Sequence, residues 1–399
     1  MIQQTSKPKT NSVAANRAPG FDTPDGQWRA RWIDSVEELE TMYASWMRLL
    51  ETAVHRNLFL DPDFFIPAFK HFGDRSTRVL AIEASQKSKP SAAPVLCGLI
   101  PLQRKKIYGM PLSAMEVWNS PQCVDGTPLL RSDCASEVLE FAWEFLVQHE
   151  KVALLSLNTV SNDGAFGCAL NDLLFAKGVQ PFYRSSWTRA GFVPEKDSDT
   201  YFQKHVSSSV QRTQRRLARR LAERGDISTA AFRDRADLVT HFLRLESSGW
   251  KQAAGTALDA TDATRLFFEE MVTRSLVREK VSFLCVQLNG RPISMLCDLY
   301  SGGQGYAYKT AFDDSLREFS PGVMAELENI RYMHQMGVTR MDSCTAPDNQ
   351  TINRIWGTRL RFHSLVIPLQ ARLSRWTVAL MPLLQQLKPR GSSPFAPRK

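Results

Sequence analysis

The sequence predicts an α+β fold in which two similarly built halves each set helices against a mixed central sheet. Three observations carry that expectation. Strand-like segments pair in sequence as hairpins, Arg78–Glu83 with Val95–Tyr108 and Val281–Leu288 with Pro292–Tyr300, the second pair about an Asn289-Gly290 turn. Amphipathic helical segments flank both pairs. The order of helices, antiparallel strands, helix and strand thus occurs twice in 399 residues, without an alignable sequence repeat.

Taken in order, residues 1–26 are polar and read as a disordered tail. Trp28–Ile33 alternates as a strand. Ser35 and Glu38 form a capping box for a helix carrying Leu39, Met42, Trp46 and Leu49 on one face. Asp61-Pro62 starts a helix with Phe64, Phe65 and Phe69 in the core. After the first hairpin come a helix over Ser136–His149, a strand over Val152–Leu157 and a helix over Gly164–Lys177 stopped by Gly178. Tyr183–Asp199 reads as a connection. Val210–Arg224 then holds six arginines (212, 215, 216, 219, 220 and 224) against one acid, Glu223, with Val206, Val210, Leu217 and Leu221 on one stripe. That pattern is an amphipathic helix with an arginine face. Ile227–Phe232 is a strand, and Leu238–Ser248 and Ala263–Arg278 are helices.

After the second hairpin, Tyr306–Phe312 alternates as a strand with Tyr306, Tyr308 and Thr310 on one face and Lys309 on the other. Ser320 suits an N-cap and Pro321 the first helical position of a helix to Met336. A helix starting straight after a strand offers unpaired N–H groups and a partial positive charge to an anion. A short strand at Met341–Cys344, a short helix over Asp348–Trp356, a last strand at Phe362–Leu369 and a helix with Trp376, Leu380 and Leu384 on one side complete the chain.

Composition bounds the function. Hydrophobic residues are 43% and charged residues 23%, ordinary for a globular chain of about two domains. A net charge of +9 permits a phosphate-bearing ligand, nucleic acid or anionic lipid without choosing among them. The seven cysteines (97, 123, 134, 168, 285, 297 and 344) form no CxxC pair, so reduced thiols are expected rather than a disulfide framework or zinc site. His205, His241, His334 and His363 lack metal-ligand spacing, and no metal is expected. Without an apolar signal or a run of about 18 apolar residues, the expectation is a soluble, cytoplasmic protein with no transmembrane segment.

Several pieces together resemble a known family. They are the arginine-rich helix before Gly225, Leu245-Glu246-Ser-Ser-Gly249-Trp250-Lys251 with Gly255-Thr256-Ala257, and Leu288-Asn-Gly290-Arg-Pro292-Ile293. Tyr306-Ala-Tyr308-Lys309-Thr-Ala-Phe312-Asp313, Ser320-Pro321-Gly322 and Asp342 follow in order. This half is similar to the acetyltransferase domain of the CelD/BcsL type (BioF-like), within the GNAT superfamily and related to Fem-type aminoacyltransferases. The resemblance implies tandem GNAT-like domains, at 27–190 and 191–370, followed by a helix and basic tail at 371–399. It implies an N-acyltransferase using acetyl-CoA or another acyl-CoA, with the diphosphate at the helix mouth. Lys309, Arg317, Ser320, Gly322 and Val323 are the residues expected to hold it. The usual glycine-rich phosphate loop is reduced here to Glu318-Phe319-Ser320-Pro321-Gly322, and Pro321 removes one donor.

Acyl transfer needs a base for the acceptor and an acid for the leaving thiolate, not a protein nucleophile. Glu246, before the Gly-Trp-Lys turn, and Asp298, inside an apolar strand where burial would raise its pKa, are the candidate bases. Tyr308 is the candidate acid. Trp250, Lys251, Arg216 and Arg220 are expected on the acceptor, a small molecule or a glycan or lipid precursor, linked through the resemblance to cellulose or exopolysaccharide production. Two alternatives stand beside this: a Fem-type ligase using aminoacyl-tRNA, the one reading with a nucleic-acid partner, and a non-catalytic module gripping an anionic ligand.

Overall fold

The computed structural model describes residues 27–85, 93–107, 112–161, 164–249, 254–370 and 373–386. Among these, thirteen strands form one continuous sheet. In chain order they are β1 (Trp28–Ile33), β2 (Thr77–Ala84), β3 (Val95–Arg104), β4 (Ala114–Val117), β5 (Leu129–Leu130), β6 (Leu154–Ser161) and β7 (Phe182–Phe192). They continue as β8 (Ile227–Phe232), β9 (Val281–Leu288), β10 (Arg291–Ser301), β11 (Gln304–Phe312), β12 (Arg340–Asp342) and β13 (Thr358–Pro368). The spatial order is β1-β2-β3-β4-β6-β13-β7-β12-β11-β10-β9-β8, with β5 paired to β3.

The twofold order read in the sequence is present as topology. β1 to β4 form an antiparallel meander, and β6 returns parallel to β4 after the helix Ala135–Gln148. β8 to β11 form a second meander, and β12 returns parallel to β11 after the helix Pro321–Gln335. Asn289 and Gly290 turn the second hairpin with φ values of 52° and 74°, the left-handed pair a tight two-residue turn requires.

Two strands join the halves. The last strand, β13, lies between β6 and β7, and β7 in turn pairs with β12. The expectation that Tyr183–Asp199 is a connection is therefore corrected, because most of it is β7. β7 carries Arg184, Ser185, Ser186 and Thr188, and its first half is only partly covered. Backbone pairing with β13 along its length, and with β12 at Gly191 and Phe192, holds it, and the polar run from Arg184 to Ser186 breaks the apolar alternation that betrays a half-buried strand.

The core between the halves is aromatic. Phe64, on the helix Pro62–Phe72, meets Phe267 edge-on at 5.2 Å and Tyr308 at 5.6 Å, and Phe59 meets Tyr306 at 5.8 Å. Beside it the Lys280 ammonium reaches Asp61 and Asp63, each at 2.9 Å. Burial pushes the Asp61 carboxyl above its ordinary range, while Lys280 pulls it back. Among the described residues no helix is long and apolar enough to cross a membrane.

Candidate functional site

The second parallel pair opens into a wedge. β12 pairs with β11 only at Gln304, Gly305 and Tyr306, whereas β11 continues to Phe312. After Asp342 the chain turns away, with Cys344 at φ 53°. Beyond Tyr306, β11 keeps its pairing with β10 and has no strand partner on the β12 side among the described residues.

That edge leads to a short 3-10 turn, Asp314–Phe319, and then to the helix Pro321–Gln335. Ser320 holds the capping position but adopts the left-handed conformation (φ 51°, ψ 55°) and makes no side-chain cap, which corrects the expected hydroxyl cap. An extended residue is what aims Oγ at the first amides. The first intrahelical bond comes from the Met324 N–H to Ser320 O at 3.1 Å, so the preceding amides of Gly322 and Val323 have no carbonyl within the helix. A Cβ on Gly322 would sit 3.4 Å from the Phe312 ring, which places the mouth against the end of β11.

The arginine helix, Ser208–Ala222, docks beside this mouth. Leu217 and Leu221 are buried, and Arg220 and Arg224 reach Glu318 at 3.5 and 3.2 Å. Their guanidinium groups also lie over the Phe319 ring, at 5.6 and 4.6 Å. Arg216 is exposed one turn before Arg220, on the same side of the helix. Arg317 is exposed as well, 4.0 Å from Asp314. A diphosphate fits this donor set of two free amides and surrounding guanidinium groups.

A bulge shapes the sheet face beside the wedge. The register steps from Cys297↔Lys309 to Asp298↔Ala307, so Tyr308 is an extra residue in β11. This corrects the simple alternation. Lys309 faces the same way as Cys297 and the tyrosines, its ammonium 5.2 Å from the Tyr308 ring, while Thr310 turns to the other face opposite Leu296. The Tyr308 hydroxyl donates to Gln122 Oε1 at 3.3 Å, and burial raises its pKa well above the usual phenol, with Glu246 among the charges adding to that. Glu246 is buried and accepts the Leu258 N–H at 2.8 Å.

Asp298 is on the opposite face, under the helix Pro321–Gln335. It accepts from the Asn329 amide at 2.8 Å, while its other oxygen and Glu326 Oε2 are buried without partners. Burial pushes Asp298 up to about 7 and, together with the Asp298 charge, Glu326 up to about 8. The fold thus brings Glu246 and Tyr308 to one side and separates Asp298 from them. Trp250 and Lys251 lie outside the described residues.

A second cluster was not foreseen. Where β11 meets β12, a cleft is lined by His55 and Asp125 from the first half and by Tyr306, Arg340 and Asp342 from the second. His55 Nε2 and Asp125 Oδ2 are 2.7 Å apart. Burial would raise Asp125, but the charge and hydrogen bond of His55, a hydrogen bond from Thr127 and the charge of Arg189 hold it below the usual carboxylate value. Arg189, fully buried, donates to both oxygens of Asp342 at 2.7 and 2.5 Å and to Val124 O at 2.8 Å, with its guanidinium 3.9 Å from the Phe362 ring centre. Partners 70 and 153 residues apart leave no local spacing signal.

Residues 208–350 match the acetyltransferase (GNAT) domain model. A search of the curated proteins finds no match. Among solved structures, FemX superposes with a TM-score of 0.55 at 12% identity, covering 90% of this chain and 99% of that one. A conserved protein of unknown function from Bacteroides thetaiotaomicron gives 0.53 at 11% identity, covering 86% and 100%. At such identities the likeness is one of fold. The chain has a GNAT-like fold with a mixed sheet flanked by helices, and its second half carries the GNAT domain signature.

Proposed function

We propose that the protein is an acyl-CoA-dependent N-acyltransferase whose donor lies along the open edge of β11. The observation that carries this is continuity: β11, whose pairing with β12 stops at Tyr306, leads through a short 3-10 turn to a helix mouth where two amides lack intrahelical carbonyls and arginines stand adjacent. An extended arm ending in a diphosphate has the matching shape and charge. Acyl-CoA supplies the thioester. Gly322 and Val323 hold its diphosphate through N–H groups, and Arg220, Arg216 and Arg317 supply positive charge around it, while Lys309 stands on the other face beside Tyr308. The acceptor amine or hydroxyl attacks the thioester carbonyl, the C–S bond breaks, Glu246 takes the acceptor proton and the Tyr308 hydroxyl protonates the thiolate. Asp298, on the far face, takes no proton in this scheme. The acceptor is a small molecule or a glycan or lipid precursor, and cellulose or exopolysaccharide production is the process the resemblance favours.

Gly322→Pro tests the mouth. Proline fits the first helical turn but removes a donor, so acetyl-CoA affinity measured by calorimetry should fall by roughly ten- to a hundredfold, one charge-assisted hydrogen bond. Unchanged affinity in a folded variant would move the phosphate site elsewhere. The second reading, transfer from aminoacyl-tRNA, is favoured by the one-signed arginine face and by the fold-level likeness to FemX. Salt-sensitive binding of aminoacyl-tRNA with no heat of acetyl-CoA binding would select it.

A further inference from the structure

We propose that the helix Leu373–Gln386 docks the protein on an anionic bilayer surface. Three observations combine. First, the helix is apolar on two opposite sides. Ser374, Val378 and Met381 are buried, the latter two in a cluster with Val366 and Leu154. Trp376, Leu380 and Leu383 recur at i, i+4 and i+7 on the side away from them, 71%, 53% and 59% exposed. A helix lying on a globular surface ordinarily turns polar groups outward.

Second, the basic excess of the chain lies in the stretch of sequence that contains this element. Residues 349–399 hold nine of the 50 lysines and arginines and no acid, while the preceding 348 residues hold 41 bases and 41 acids. The whole net charge of +9 therefore belongs to the segment containing the stripe. Arg372 and Arg375 stand at its start, and Lys388 and Arg390 follow its end. Third, the composition is that of an interfacial helix: an indole and leucines to enter the headgroup boundary, with cations at either end for lipid phosphates.

A second copy fits less well, since pairing stripe against stripe would bring two basic segments together. An anionic surface satisfies both the apolar face and the charge. The reading does not depend on the acyl-transfer chemistry.

The test uses the full chain in co-sedimentation with vesicles of phosphatidylglycerol and phosphatidylcholine, and with vesicles of phosphatidylcholine alone. The protein is expected to pellet with the anionic vesicles and to be released by high salt. The triple variant Trp376→Ser, Leu380→Ser and Leu383→Ser should bind roughly a hundredfold more weakly, since three exposed apolar groups no longer enter the interface. Because none of the three is buried, its circular dichroism melt should match the parent's. Failure of the parent to bind anionic vesicles would overturn the proposal. So would equal binding by the folded triple variant, or an assembly state in sedimentation velocity that the substitutions dissolve without changing vesicle binding.

Discussion

Arg189→Ala is expected to destabilise the protein by about 3–5 kcal/mol, because it leaves a buried carboxylate without its counter-ion. Arg189 is fully buried and holds both oxygens of Asp342, the Val124 carbonyl and one face of the Phe362 ring. Its removal strips charge compensation from Asp342 and a donor from Val124, and opens a void against Phe362. It also weakens the union of β7 and β12, which crosses from one half to the other. Urea unfolding should show the loss as a lower midpoint. Pairing Arg189→Met with Asp342→Leu should recover much of it, since two apolar groups need no mutual charge, although the Cys344 N–H then loses its acceptor on Asp342. Arg212, exposed on the arginine helix, is the control. A loss from Arg189→Ala no larger than from Arg212→Ala would contradict this account.

The second large effect is a dependence of stability on pH from Asp298 and Glu326. Burial raises these carboxyls from 3.8 to about 7 and from 4.5 to about 8, so the folded state holds protons that the unfolded chain releases near its ordinary values. Below those ordinary values both states are protonated and the contribution is complete. As pH rises through the window the unfolded state binds fewer protons, and stability falls by about 1.4 kcal/mol per pH unit for each group in its own window. Above the folded values the loss is complete. Asp298→Asn keeps an acceptor for Asn329, and Glu326→Gln keeps the shape. Each should gain up to about 4 kcal/mol over the parent in mildly alkaline buffer and almost nothing in acid. Unfolding midpoints across the window, taken as variant minus parent, isolate these groups from the other titrations. A difference that does not change with pH would show that neither carboxyl carries a proton in the fold.

The fold was legible where a side chain reports its burial. The Asn289-Gly290 hairpin, the Asp61-Pro62 helix start and the arginine helix stand as their sequences imply, because turn geometry, capping and amphipathic spacing act within a few residues. β7 was hidden because its neighbours along the sheet supply its bonds while Arg184, Ser185, Ser186 and Thr188 interrupt its apolar pattern. The bulge at Tyr308 was hidden because only a partner strand defines an extra residue, and that one residue reversed the sides of Lys309 and Thr310. The helix mouth was readable as a strand running into Ser320-Pro321-Gly322, but the left-handed turn of Ser320 was not. The His55–Asp125 and Arg189–Asp342 contacts depend on how the halves meet, which no local spacing encodes.

The position of β13 has a consequence for how the chain is made. Thr358–Pro368 is synthesised after the other twelve described strands, yet it fills the middle of the sheet, bonding β6 on one side and β7 on the other. Until it leaves the ribosome both of those strands keep an open edge, ready to pair with other chains. The two meanders can form early from local contacts, whereas their union waits for contacts spanning some two hundred residues. A stop codon just ahead of Thr358 would spare both meanders and remove the strand that welds them, so premature termination here should yield aggregation-prone halves rather than a shortened but folded protein.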